Sequence, residues 1–222
     1  MSWTWCLGWT LFFGIIDILL PRSIRQHDNS RWFAIHVMGN LVLIWYTAND
    51  LWQVIINPLH DVVLPEMELS WENRKGPSII IMIMHLYHIL FFKNLKPVDW
   101  LHHLVSAFGS GGVGLFMDWG KGVNAQIFFL SGLPGGIDYF LLLLVKLGCI
   151  PSRTEKQVNV YLNLCIRIPG LLFLASIIYV NMHFHQNLAG LPLFVGWIAV
   201  LSNVWNGLYF GNRVFASYYS SK

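Results

Sequence analysis

Seven stretches of the chain are dominated by apolar side chains, with polar residues gathered between them. They run Trp3–Leu20, Trp32–Ile56, Pro77–Phe92, Val98–Met117, Val123–Leu147, Val158–Met182 and Gly190–Asn212. A helix that crosses a bilayer needs about 20 mostly apolar residues, so the pattern predicts seven transmembrane helices. The intervening segments Pro21–Arg31, Lys93–Pro97, Asp118–Gly122 and Pro151–Gln157 are short, polar or rich in Pro and Gly. The longest connection, Asn57–Gly76, carries Asp61, Glu66, Glu68 and Glu72 and no long apolar run, which places it outside the bilayer. The first stretch lacks a basic n-region and a small-residue cleavage site, so it reads as a span rather than a signal peptide.

Composition agrees with this reading. Of the 222 residues, 55% are hydrophobic and only 11% are charged, against about 25% charged in a soluble domain. High apolar content with a net charge of +3 excludes disorder and gives no sign of a nucleic-acid partner. Cys6, Cys149 and Cys165 are odd in number and show no CxxC spacing, so no disulfide framework is expected. The placement of the cations is more informative. With seven spans, ten basic residues fall on one side: Arg22, Arg25, Arg31, Lys93, Lys96, Lys146, Arg153, Lys156, Arg213 and Lys222. Three fall on the other, Arg74, Lys75 and Lys121, and Arg167 lies within a span. Positive loops stay cytoplasmic, which predicts a lumenal N-terminus and a cytosolic C-terminus.

Ionisable residues inside spans are costly and face the protein interior. His36 lies five residues after Arg31, His88 five before Lys93 and His102 five after Pro97, with His103 next. At about 1.5 Å per residue, these imidazoles share one depth near the cytosolic end. His85 and Asn40 lie about one turn deeper. Asp138, Arg167, Asn163, Asn203 and Asn206 fall in the same half. His85 and His88 share a helix face, His36 and Asn40 are one turn apart, and Asp99 is spaced to reach His102 or His103. The spacing predicts a polar, histidine-lined cavity open to the cytosol; the competing reading is a set of hydrogen-bonded packing residues. Asp138 and Arg167 are expected to form a structural ion pair. Ser131-Gly132-Leu133-Pro134-Gly135-Gly136 predicts a break or strong kink in the fifth span. The run Gly109, Ser110, Gly111, Gly112 and Gly114 predicts close helix packing.

His85-Leu-Tyr-His88, a short basic turn, then Asp99-Trp100-Leu101-His102-His103 resembles the core of the TLC-domain family. That family includes translocation-associated membrane proteins and ceramide synthases. Arg31-Trp32 leading to His36 is similar to its first core helix, and Asn203-Val204-Trp205-Asn206 with Tyr209 and Arg213 to its last. The resemblance implies an all-α membrane fold of seven helices. Residues 30–222 would form a six-helix TLC-type barrel, and residues 1–29 an extra N-terminal helix with a basic loop. It further implies an endomembrane protein of the endoplasmic reticulum that acts on lipids, including sphingolipids. His102 and His103 match the paired histidines of the ceramide synthase motif. The His-Asp pair of that motif has no counterpart in Phe129-Leu130-Ser131-Gly132-Leu133-Pro134.

Two functions follow. In the first, a fatty acyl group passes from a thioester to a lipid amine or hydroxyl. His102 or His103 is the base or acyl acceptor, and Asp99 orients it. His36, Asn40, His85, His88, Ser131, Asp138, Arg167 and Asn203 line the cavity, acyl-CoA is co-substrate, and no bound cofactor or metal is expected. In the second, the cavity holds a lipid without turnover and the protein regulates membrane lipid composition. Membrane lipids or acyl chains are the expected partners, and apolar helix surfaces suit homo- or hetero-oligomers. A histidine-bound metal centre by resemblance to lipid hydroxylases needs a larger cytosolic set, because His183 and His185 lie on the opposite side. A retinal protein needs a lysine in the last span, and Gly190–Asn212 has none.

Overall fold

The computed structural model describes residues 3–58, 71–93, 95–104, 112–116, 121–184 and 190–220, and all regular structure among them is helical. The helices are α1 (Trp3–Leu19), α2 (Arg22–Arg25), α3 (Asp28–Ile56), α4 (Trp71–Phe91), α5 (Pro97–Leu104) and α6 (Val113–Phe116). They continue as α7 (Lys121–Ile127), α8 (Leu133–Lys146), α9 (Ser152–Leu162), α10 (Ile168–Phe184) and α11 (Leu191–Tyr219). Six of the seven apolar stretches are each recovered as one helical run. The fourth is represented by α5 and α6, and Gly109, Ser110 and Gly111 lie outside the described residues.

Among the described residues three runs are long and apolar enough to cross a membrane: Lys121–Lys146, Ser152–His183 and Leu193–Tyr219. Helix α1 and Lys75–Phe91 are apolar but shorter. Helix α3 has the length without the hydropathy, and its place in the fold explains why. It is central, touching α1, α2, α4, α7 and α8. Its polar side chains His36, Asn40, Thr47 and Asp50 are buried. Ile35, Leu43 and Val54 join them inside, but other apolar side chains point outward, with Trp45 83% exposed and Leu41, Trp52, Ile55 and Ile56 about as open as surface residues. In water this arrangement would forfeit the hydrophobic gain of burial. In hydrocarbon the outer apolar face costs nothing and the polar groups find each other inside.

The same inversion recurs at the edges. Leu7, Leu11, Ile15 and Ile18 form an exposed stripe on α1, and Phe194, Trp197, Ile198, Leu201, Trp205 and Leu208 form one on α11. Helix α1 packs on α4, while α10 and α11 pair and α9 rests on α11. Contacts gather the basic ends of the helices at one end of the bundle. The Arg31 guanidinium lies 4.4 Å from the Phe92 ring centroid, and Lys156 Nζ donates to the Ser217 carbonyl at 3.3 Å.

The fifth span bends its rules without breaking. Between α7 and α8 the helix passes through a π turn, Phe128–Gly132, and continues. Pro134 has no N–H for the Leu130 carbonyl and its ring crowds that oxygen. The wider π turn, centred on Leu130, absorbs both problems. A second π turn, Asn163–Arg167, lies between α9 and α10. Pro169 stands in the same relation to Cys165, at its centre. Of the predicted break or strong kink, the break is thus corrected to a continuous helix with a local bulge. The two π turns pack together, and Phe129 lies over Gly170. A Cβ on Gly170 would come 2.3 Å from Phe129 Cδ1. Gly170→Ala is therefore expected to cost about 1–3 kcal/mol through overpacking, read as a lower thermal unfolding midpoint. An unchanged midpoint would show that Phe129 can move aside.

Candidate functional site

Four of the predicted histidines come together in the interior. Helix α3 supplies His36, α4 supplies His85 and His88 from one face, and α5 supplies His103. All four are buried. The His103 ring lies 4.3 Å from His88, 5.3 Å from His85 and 6.5 Å from His36 between centroids. His36 lies 5.4 Å from His88 and 5.9 Å from His85. Two aromatic rings complete the enclosure. Trp32 stands 4.0 Å from His88, and Tyr139 of α8 stands 4.5 Å from His36. The side chains of Asp99 and His102 lie outside the described residues.

Hydrogen bonds fix two of the rings. The Trp32 indole N–H donates to His36 Nε2 at 3.3 Å. Nε2 is therefore an acceptor, and the ring proton sits on Nδ1, 3.2 Å from the Trp32 carbonyl. His36 is a neutral imidazole with both nitrogens engaged on its own helix, which suits a positioning residue rather than a proton carrier. His85 Nδ1 donates to the Ile81 carbonyl at 2.8 Å, since a carbonyl can only accept. That bond sets its tautomer and leaves Nε2 as its basic nitrogen. His103 and His36 each have the other three imidazoles as neighbours, and His103 comes closest to one of them, at 4.3 Å from His88. Among the described residues no group of three or more His, Cys, Asp or Glu is arranged to hold a metal ion.

Asn40 and Ser131 sit beside this cluster. Asn40 is one turn along α3 from His36, and Ser131 Oγ donates to its Oδ1 at 2.9 Å. Gly135 and Gly136 let α8 close on Asn40, because a Cβ on Gly135 would come 3.1 Å from Asn40 Nδ2. The glycines predicted to weaken the helix thus serve close approach to a buried amide.

Asp138 and Arg167 belong to a neighbouring polar group, and the expected ion pair is a correction. The two form no salt bridge. Asp138 Oδ1 instead accepts from Asn159 Nδ2 at 2.6 Å, and the same amide nitrogen donates to Glu155 Oε1 at 2.7 Å. One short amide spans two carboxylates, where the longer arginine stays outside contact distance. Arg167 Nε and Asn163 Oδ1 have no partner among the described residues. Asp138 and Tyr139 are adjacent on α8, so one helix feeds both polar groups. Asn203 Oδ1 accepts from Gln126 Nε2 at 2.9 Å, five residues from the Lys121 end of that span.

Several interior polar contacts were not foreseen. Arg31, counted as a loop cation, grips the Asp17 carboxylate through Nε and Nη2. Tyr87 Oη donates to the same carboxylate at 2.7 Å. The sequence signal was Asp17 itself, the single charge in the first apolar stretch. At the opposite end Asn124 Nδ2 donates to Asp50 Oδ2 at 2.6 Å, and buried Lys75 donates to the Gly114 carbonyl at 3.1 Å. Glu155, Asn159, Asn163 and Arg167 recur every four residues, a stripe legible in the sequence. No protein-family model, curated protein or solved structure matches the chain.

Proposed function

We propose that the chain is an integral membrane protein of the endomembrane system that acts on lipids through its histidine cluster. The reading includes a TLC-type arrangement of seven spans, a lumenal N-terminus and a cytosolic C-terminus. The observation that carries it is the convergence of four buried imidazoles from three helices inside a bundle whose outer face is apolar. Burying one imidazole is a packing solution. Gathering four, with a tryptophan and a tyrosine around them, concentrates proton-transfer capacity where a lipid's polar group would meet its acyl chains.

In the catalytic form of the proposal, the acceptor's N–H or O–H gives its proton to a cluster imidazole as its oxygen or nitrogen attacks the acyl thioester carbon. The C–S bond breaks, and the imidazolium returns the proton to the leaving thiolate. The products are an acylated lipid and free thiol. Acyl-CoA is the thioester and His103 the proposed base. A second reading, lipid binding without turnover, is favoured by one observation. His103 is 0% exposed, which gives an acyl thioester no direct access to it.

Both readings are tested by photocrosslinking with a diazirine fatty acid in bilayer nanodiscs, followed by peptide mapping. Labels on peptides bearing Trp32–Asn40, His85–His88 or His103 are expected. Labels confined to outward residues such as Leu41, Trp45, Phe194 and Leu201 would contradict a lipid site in the interior.

A further inference from the structure

A pocket opens at the basic end of the bundle, between the start of α3 and the end of α8. It is lined by Gln26, His27, Asn29, Ser30 and Lys146, all polar. Helix α3 is 29 residues long, and its N-cap residue His27 makes no side-chain capping bond. The amides of the first turn, in Asp28, Asn29 and Ser30, have no carbonyl partner within the helix. Such amides, with the positive end of the helix dipole, favour an anion.

The second observation is Ser30. It is 2% exposed, yet it lines this pocket, and its hydroxyl makes no hydrogen bond among the described residues. The hydroxyl opens to the pocket, where a ligand acceptor oxygen would give it a partner. Lys146 supplies a cation across the pocket, and Gln26 and Asn29 add amide donors. Gln26 Nε2 already lies 3.4 Å from His27 Nε2, which orders that wall.

We propose that this pocket binds a phosphate group, with Ser30 and the first-turn amides below it and Lys146 beside it. The site is a separate one from the histidine cluster and does not depend on the function proposed above. Ser30 lies six residues before His36 on the same helix, about 9 Å along the axis. The phosphate is carried either by an anionic lipid headgroup or by a soluble phosphate ester, and the chemistry of recognition is common to both.

The test uses the full chain in phosphatidylcholine nanodiscs with and without phosphatidic acid. Retained phosphatidic acid is counted by native mass spectrometry, and inorganic phosphate is titrated separately by 31P line broadening. Native protein is expected to bind at least one of the two probes. Binding should fall about tenfold in Lys146→Met, which removes a charge-assisted bond, and several-fold in Ser30→Ala. Phosphatidic acid retained without inorganic phosphate binding assigns the source as lipid, and the converse assigns it as soluble. Circular dichroism of each variant establishes that the fold is retained. Neither probe bound, or binding equal in native protein and both folded variants, would overturn the site. A failure here leaves the histidine-cluster reading intact, because that reading is probed by a fatty acid without phosphate.

Discussion

Arg31→Ala is expected to loosen the N-terminal helix and cost about 3–5 kcal/mol, the loss seen when one partner of a buried ion pair is removed. The Asp17 side chain is 7% exposed and takes two bonds from the guanidinium plus one from Tyr87. Without Arg31 the carboxylate keeps one phenol and only the weaker pull of Arg25 as counter-charge. The group that ties α1, α3 and α4 together at the basic end is then gone. The lost cation also leaves the Phe92 ring, a smaller term of about 0.5–1 kcal/mol. Arg31→Lys keeps charge but not the two-point grip, so it should fall between. Tyr87→Phe should cost about 1 kcal/mol, one hydrogen bond. Unfolding in a denaturing-detergent titration reads the stability. Protease sensitivity of the 20–27 connection reads the release of α1. A wild-type midpoint for Arg31→Ala would mean that apolar contacts such as Phe13 hold α1 by themselves.

His103→Gln is expected to abolish thiol release from long-chain acyl-CoA, by about a hundredfold or more, the usual contribution of a positioned acid-base group. Glutamine keeps a polar group of similar reach in the enclosure but cannot carry a proton in the reaction. His36→Gln should act differently. His36 bonds its own helix through both nitrogens, so its loss should lower stability and reduce rate by a smaller factor. Full thiol release by a folded His103→Gln would remove His103 from the chemistry. Lipid retention without thiol release in the native protein would move the account to the binding reading.

How much of this was legible in the residues differs by level. The helical runs were, because apolar stretches of span length have few alternatives. Depth was too: counting from Arg31, Lys93 and Pro97 brought His36, His88 and His103 to one level, and the structure packs those rings together. Partner choice was not, because it depends on how each helix is rotated about its axis. Asp138 and Arg167 were expected to pair on depth alone, while Asn159, on the neighbouring helix face, takes the carboxylate instead. Asn203 was assigned to the cavity on the same ground and meets Gln126. The π turns were half legible. Pro134 announced a disturbed backbone and Pro169 went unread, and whether a helix breaks or bulges depends on packing such as Phe129 over Gly170. The polar residues of α3 lowered its hydropathy, and only the fold shows that they are the lining of the interior.

The central claim is that the histidine cluster handles acyl lipids inside the bundle. Native mass spectrometry of the purified chain after exposure to long-chain acyl-CoA tests it most directly. The account predicts one acyl-CoA or one lipid bound to the native protein, lost in His103→Gln that remains folded. Equal retention by native protein and that variant, or no retention by either, would contradict it.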